Sequence, residues 1–284
     1  MALFNQFTAL LAEGEKVLRS AGAQTPELDA ELLLAHLLKL ERMKMLINPP
    51  DHLSPEIPDA YRRLLARRVA SEPVFYITGK KEFHNYLFTV DPSVLIPRPE
   101  TEEMVEAILK RFGDTPRSVC DVGTGSGCIA ITLGLERPSW RVLAVDVSDK
   151  ALETARENAQ RLAARNIDFL KSDLFAAVEG GFDIVVSNPP YVDAAIKGAL
   201  QAEVRKFEPA IALFAEERGL KIITELVRQA AGHMNEGGAF FCEIGYDQKD
   251  AVEKLFSPRI WKDVTFIGDM SGHMRIVTAV FSPS

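Results

Sequence analysis

With 284 residues, 47% apolar and 26% charged, the chain has enough material to bury one large domain and one small one. A formal charge of −7 argues against a protein whose main task is to wrap nucleic acid, because counterion-releasing binding needs clustered Lys and Arg. Cys120, Cys128 and Cys242 form no C-x-x-C pair and the five histidines have no ligand spacing, which excludes a disulfide framework and a metal centre as expectations. No apolar run approaches the ~18 residues of a membrane span and no charged-then-apolar leader opens the chain, so a cytoplasmic protein is expected.

In chain order, residues 1–74 predict a small helical bundle. A first helix is expected around residues 4–18. Thr25-Pro26-Glu27 and Ser54-Pro55-Glu56 each set an N-cap candidate, an N1 proline and an early acid before an apolar stripe. Arg62, Arg63, Arg67 and Arg68 cluster on the last of these helices and read as a solvated face. Basic and acidic residues balance over residues 1–83, so the whole negative excess falls in the remainder. Residues 75–95, aromatic and β-branched with Gly79 and Asn85 as turn candidates, predict a β-hairpin linker.

Residues 96–284 form the main domain. Strand candidates at 118–122, 141–145, 168–170 and 182–187 alternate with helical stretches, the pattern of a parallel sheet covered on both faces. Three more, at 239–244, 264–268 and 275–281, bring the sheet to seven strands. The last two are too close for a helical crossover and are expected to be antiparallel.

The first of these strands runs into Gly123-Thr124-Gly125-Ser126-Gly127, with an apolar helical stretch beyond. The glycines miss the dinucleotide fingerprint by one place, since residue 128 is Cys, and there is no G-K-[ST] of a phosphate loop. Asp121 carries negative charge where a pyrophosphate would lie, which favours a cofactor with a cationic end and no phosphates; S-adenosylmethionine fits. Asp146, ending the next strand, stands where a carboxylate accepts from a ribose diol. Asp173 is a candidate partner for the adenine amine, with Leu174 or Phe175 covering the ring.

Phe182 to Ser187 runs directly into Asn188-Pro189-Pro190-Tyr191. A proline fixes its own φ and biases the preceding residue toward extended geometry, so the Asn188 amide and nearby carbonyls are held out of any continuing helix. Acceptors, donors and the flat face of Tyr191 together suit a planar NH2-bearing group, whether an exocyclic base amine or a side-chain amide.

At this point the chain resembles a class I methyltransferase and, more narrowly, the PrmC/HemK family of release-factor glutamine N5-methyltransferases. The resemblance rests on residues 29–36, Glu72-Pro73 with residues 76–79, the linker 95–103 (Leu-Ile-Pro-Arg-Pro-Glu-Thr-Glu-Glu), the glycine turn, residues 187–191 and Glu208-Pro209. It implies a Rossmann-like α/β domain behind a helical, substrate-docking domain. By the same resemblance Gly123, Thr124, Gly125, Ser126, Gly127 and Asp146 hold S-adenosylmethionine; Asp173, Leu174 and Asn188 are added to the cofactor site from their positions, Leu174 standing where some family members have an aromatic residue. Asn188, Pro189, Pro190 and Tyr191 hold the glutamine of a class I release factor's Gly-Gly-Gln loop, with Asn188, Pro189 and Tyr191 in the catalytic role. Arg98, Glu100 and Thr101 of the Pro-rich linker are candidates for the substrate entrance. A monomer is expected, with no stable nucleic-acid binding. The rivals are an adenine N6-methyltransferase acting on DNA or RNA, because Asn-Pro-Pro-Tyr serves there too, and a partner-binding protein that keeps the fold without turnover.

Overall fold

A computed structural model describes residues 2–269 and 271–283, with side chains from residue 6 onward. It divides into two compact units. One is Met1–Lys80 with the returning segment Gln201–Phe207, and the other is Lys81–Leu200 with Glu208–Ser284.

The first unit is helical: α1 (Ala2–Ser20), α2 (Pro26–Leu38), α3 (Arg42–Ile47), α4 (Ile57–Val69) and α5 (Val74–Thr78). Leu18, Leu33, Leu34, Met45 and Tyr61 are fully buried in it, and the Tyr61 hydroxyl donates to Ala30 O at 3.0 Å. Pro26 opens α2 as expected, but α4 begins at Ile57 rather than behind Ser54. Residues 55 and 56 form a turn in which Ile57 N donates to Ser54 O, and Pro58 takes the first-turn position where a missing N–H costs nothing. The arginine cluster is not uniformly solvated. Arg62 reaches Glu13 and Arg67 reaches Glu72 on the surface, whereas Arg68 is buried, its guanidinium 2.7 Å from Asp29 and 2.6 Å from Glu203. A buried charge is tolerated when it is paired in this way, and here the pair also ties the returning segment into the unit.

β1 (Lys80–Phe83), whose first residue ends the first unit, and β2 (Tyr86–Thr89) form a hairpin whose turn residues His84 and Asn85 both have positive φ, as a two-residue hairpin turn requires. Residues 75–78, expected in the hairpin, instead form α5. Its β-favouring composition is overridden by packing, since Val74 and Ile77 are buried in the core of the helical unit, and Gly79, at φ 72°, ends the helix before the strand begins. Then follow α6 (Pro99–Arg111), β3 (Ser118–Val122), α7 (Cys128–Glu136), β4 (Arg141–Asp146), α8 (Asp149–Arg161), β5 (Ile167–Lys171), β6 (Phe182–Ser187), the short β7 (Val192–Asp193), α9 (Ala202–Phe207, in the first unit), α10 (Ala210–Leu213) and β8 (Phe214–Ala215). The chain ends with α11 (Lys221–Ala230), β9 (Met234–Glu243), α12 (Lys249–Glu253), β10 (Trp261–Gly268) and β11 (Met274–Phe281).

Seven strands make one sheet in the order β10-β11-β9-β6-β3-β4-β5, parallel except for β11, which runs against both of its neighbours. Two apolar layers cover its faces. One packs around Phe182, Phe240 and Trp261, and the other around Met104, Ile131 and Trp140. The chain leaves β3 toward β4 and β5, then returns to place β6 on the other side of β3. This reversal opens a crevice at the carboxyl ends of β3 and β6, where open α/β sheets bind their ligands. Among the described residues no helix is long and apolar enough to cross a membrane.

Candidate active site

The crevice holds a cavity of about 340 Å³, within the ~300–1,000 Å³ range of small-molecule sites. Its floor is the glycine turn between β3 and α7. Gly123, Gly125 and Gly127 all have positive φ, and the turn is drawn onto β4 by Gly123 N and Thr124 N, which donate to Val145 O at 2.8 and 2.9 Å. Asp146 closes the ring from the end of β4. One of its oxygens accepts from Gly125 N and the other from Ser148 N, each at 2.9 Å. Burial pushes the Asp146 carboxyl up, and these backbone donors oppose the rise.

All five turn residues 123–127 are expected in the cofactor site; 123–126 line the cavity, as do Asp146, Asp173 and Leu174. Gly127 stands just behind, where a Cβ would come within 2.7 Å of Ile131 Cδ1 and 3.2 Å of Ala155 Cβ, so its bareness lets α7 and α8 approach. Leu174 and Phe175 part company. Leu174, at φ 48°, faces the cavity, whereas Phe175 is buried and stacks on the His233 ring at 4.9 Å with planes 9° apart. Leu174 is therefore the side chain available to cover a ring there. No local motif marks Asn158. It is fully buried on α8 and donates from Nδ2 to Ser126 O at 2.9 Å and to Thr89 O at 3.0 Å, fixing the turn to the hairpin.

Asp121 does not line the cavity. It lies beneath the turn, fully buried, with one oxygen accepting from Thr124 Oγ1 at 2.6 Å and from Ala130 N at 3.2 Å. Its other oxygen has no hydrogen-bond partner among the described residues. Burial pushes the Asp121 carboxyl up to about 7, partly opposed by those two donors and aided by the nearby Asp146 charge. Between the ordinary value of 3.8 and about 7 the native state holds a proton that the unfolded chain has lost. The contribution of Asp121 to stability is thus fully present below pH ~4 and is lost as pH rises toward 7. Asp121→Asn keeps an acceptor for Thr124 and Ala130 and removes the titration. Its unfolding free energy, followed by denaturant melts from pH 4 to 7.5, is expected to vary less with pH than that of the unmodified protein. Parallel curves would mean that the carboxyl titrates normally.

The opposite wall belongs to β6 and its continuation. Val122 and Ser187 are register partners on adjacent parallel strands, and Ser187 Oγ donates to Val122 O at 2.6 Å. Gly123 and Asn188 therefore leave the sheet side by side. Asn188, Pro189 and Pro190 line the cavity; Tyr191 and Arg98 do not. The Tyr191 hydroxyl donates to Glu243 Oε1 at 2.9 Å, and burial beside that carboxylate pushes the phenol well above its ordinary pKa. The hydroxyl of Tyr191 is thereby held in the wall behind the cavity. Arg98 is spent on Glu208, 2.6 Å away.

Thr101, in the first turn of α6, does line the cavity. Asn188 Nδ2 donates to Thr101 Oγ1 at 2.9 Å, and Thr101 Oγ1 donates to Glu243 Oε2 at 2.6 Å. Among the described residues nothing donates to Asn188 Oδ1. Sequence reasoning missed Glu243 altogether. Register explains its position: Ser187 pairs with Cys242 on β9, so the next residue of each strand, Asn188 and Glu243, emerges at the same level. Burial raises the Glu243 carboxyl, with Thr101 and Tyr191 holding it down. A second clamp holds the backbone of the wall, where Gln248 Nε2 donates to Tyr191 O at 3.0 Å and Gln248 Oε1 accepts from Gly245 N at 2.8 Å.

Comparison with known proteins gives a consistent picture. The family model described as PrmC N-terminal domain matches residues 9–79, and that described as methyltransferase small domain matches residues 100–212. The chain is 44% identical to a release factor glutamine methyltransferase of Koribacter versatilis, covering 92% of this chain and 94% of the relative. It is 41% identical to the enzyme of the same name from Neisseria gonorrhoeae, covering 89% and 93%. Among solved structures, a ribosomal protein L11 methylase from Lactobacillus delbrueckii subsp. bulgaricus matches with a TM-score of 0.51 at 25% identity, over 68% of this chain and 84% of that one.

Proposed function

The chain belongs to the release factor glutamine methyltransferase family, and on that premise we propose that it methylates the side-chain amide nitrogen of the Gly-Gly-Gln glutamine in class I peptide chain release factors, using S-adenosylmethionine. The observation that carries the reading is the Asn188 amide. Its NH2 end is tied back to Thr101, which leaves Oδ1 as an unspent acceptor in the wall of a cavity whose floor is the glycine turn.

The cavity suits the cofactor. Asp146 is a carboxylate at the end of β4 beside the turn, Asp173 and Leu174 form the third side, and a lining with two carboxylates and no Lys or Arg favours a cationic rather than a phosphorylated ligand. When bound, S-adenosylmethionine supplies a strongly electrophilic sulfonium methyl group, so the task of the chain lies at the acceptor. An amide nitrogen is a poor nucleophile because its lone pair is delocalised into the carbonyl. Asn188 Oδ1 and the Pro189 carbonyl each take one amide N–H, which fixes the nitrogen and raises its electron density. Orientation of this kind supplies up to ~7–11 kcal/mol in favourable cases. No general base is assigned, because the nitrogen becomes acidic once methylated and loses its proton afterwards.

An adenine amine would satisfy the same two acceptors. The relatives named for glutamine methylation over nearly the whole chain, and the acidic excess after residue 83, favour the protein acceptor. The test is transfer of radiolabelled methyl from S-adenosylmethionine to a recombinant class I release factor, its Gln→Ala loop variant and duplex DNA. Label on the intact factor alone is expected; label on DNA, or on the Gln→Ala variant, would overturn the reading.

A further inference from the structure

We propose that Thr101 and Glu243 are positioning residues that decide which end of the Asn188 amide faces the acceptor, and thereby select an acceptor that donates N–H. The inference rests on the reading of Asn188 given above and concerns two residues outside the tetrapeptide. An asparagine side chain is nearly symmetric in shape, and a half-turn exchanges its carbonyl for its NH2 at almost no steric cost. Something must therefore break the symmetry. The hydrogen-bond chain Asn188–Thr101–Glu243–Tyr191 does so through its polarity.

Glu243 is fully buried at the end of β9, and as a carboxylate it can only accept. It accepts from the Tyr191 hydroxyl at one oxygen, 2.9 Å, and from the Thr101 hydroxyl at the other, 2.6 Å. Thr101 has one proton, and it is committed to Glu243. Toward Asn188 its oxygen can then only accept, so Nδ2 must turn to Thr101 at 2.9 Å and Oδ1 is left for the cavity. A glutamine at 243 would break this logic. Its NH2 could donate to Thr101 Oγ1, releasing the hydroxyl proton toward Asn188 Oδ1, and the Asn188 NH2 would then face the acceptor, where it repels an N–H donor.

The experiment compares Thr101→Val, Thr101→Ser and Glu243→Gln with the unmodified full chain. Its readouts are single-turnover methyl transfer to the release factor, S-adenosylmethionine affinity by calorimetry, melting temperature, and the 15N-labelled side-chain amide of Asn188 by NMR without ligand. Loss of one oriented acceptor predicts a fall of about 10- to 100-fold in the transfer rate for Thr101→Val and Glu243→Gln, with cofactor affinity changed less than about twofold. Thr101→Ser, which keeps the hydroxyl, is expected to restore the rate. The Asn188 amide protons, protected from exchange by Thr101, are expected to lose protection in Thr101→Val and keep it in Thr101→Ser. A folded Thr101→Val enzyme that transfers at the unmodified rate would overturn the proposal. So would losses in rate, cofactor affinity and melting temperature that run in parallel, which mark a structural role. Failure of the unmodified enzyme to methylate the factor overturns the functional reading instead, and the amide exchange then still decides the orientation of Asn188.

Discussion

Asn188→Ala is expected to lower methyl transfer about 100- to 1,000-fold while weakening S-adenosylmethionine binding far less, because it removes an oriented group at the point where the acceptor nitrogen must be held. The separation follows from the layout of the cavity. The cofactor contacts proposed for the glycine turn, Asp146 and Asp173 come from β3, β4 and β5 and the turns after them, whereas Asn188 stands on the β6 wall. Removing it leaves the turn and its bonds to Val145 O and Asp146 in place. Asn188→Asp is the sharper variant. It keeps the shape but has no NH2 for Thr101, and it sets a second carboxylate across that hydroxyl from buried Glu243. Repulsion then drives one of the two acids to take up a proton, so residual transfer by Asn188→Asp should depend on pH more steeply than transfer by the unmodified enzyme. Single-turnover rates with calorimetric affinities check both variants. An Asn188→Ala enzyme that keeps more than a tenth of the normal rate would remove the amide from the mechanism.

Most of the scaffold is legible in the sequence because it is written in local spacing. Seven short apolar runs separated by helical stretches, the closing antiparallel pair and the glycine turn all depend on residues close to one another in the chain, and β3 to β6 and β9 to β11 lie where those runs lie. The misreadings occur where a distant partner overrides local preference. Phe75 to Thr78 has strand-forming composition, yet it packs as a helix in the first unit until Gly79 stops it. Arg68 sits among surface arginines in the sequence, and only the fold brings Asp29 and Glu203 to it. In the site the same rule divides the residues. The glycines, Asp146 and Asn188 announce themselves by following strands. Glu243 has no local signal, since it reaches Asn188 through the pairing of β6 with β9, and the hydroxyl of Tyr191 is claimed by that hidden acid.

Gly219→Ala is expected to cripple the same wall from behind, without touching any residue that lines the cavity. Gly219 has φ 83°, and a Cβ built there would lie 2.0 Å from Tyr191 O and 2.7 Å from Gln248 Nε2. The carbonyl cannot simply yield. It already accepts from Gln248 Nε2 at 3.0 Å, and the next residue, Val192, is paired with Phe214 in the small β7–β8 ladder. Alanine in the left-handed region costs roughly 1–2 kcal/mol by itself, and forcing the overlap apart adds on the order of 1–3 kcal/mol. Together these predict a fall in melting temperature of about 5–10 °C for a chain of this size. The two contributions can be separated, because Gly180 has φ 88° with nothing within 4 Å of its virtual Cβ. Gly180→Ala should show the backbone strain alone, with methyl transfer unchanged. In Gly219→Ala the Tyr191 backbone is pushed from the Gln248 clamp, the hydroxyl bond to Glu243 loosens, and the transfer rate is expected to fall about 100-fold below that of Gly180→Ala. Equal rates in the two variants would mean that the position of the Tyr191 carbonyl does not matter to the acceptor wall. A Gly219→Ala enzyme that melts with Gly180→Ala would mean that the carbonyl has room to move.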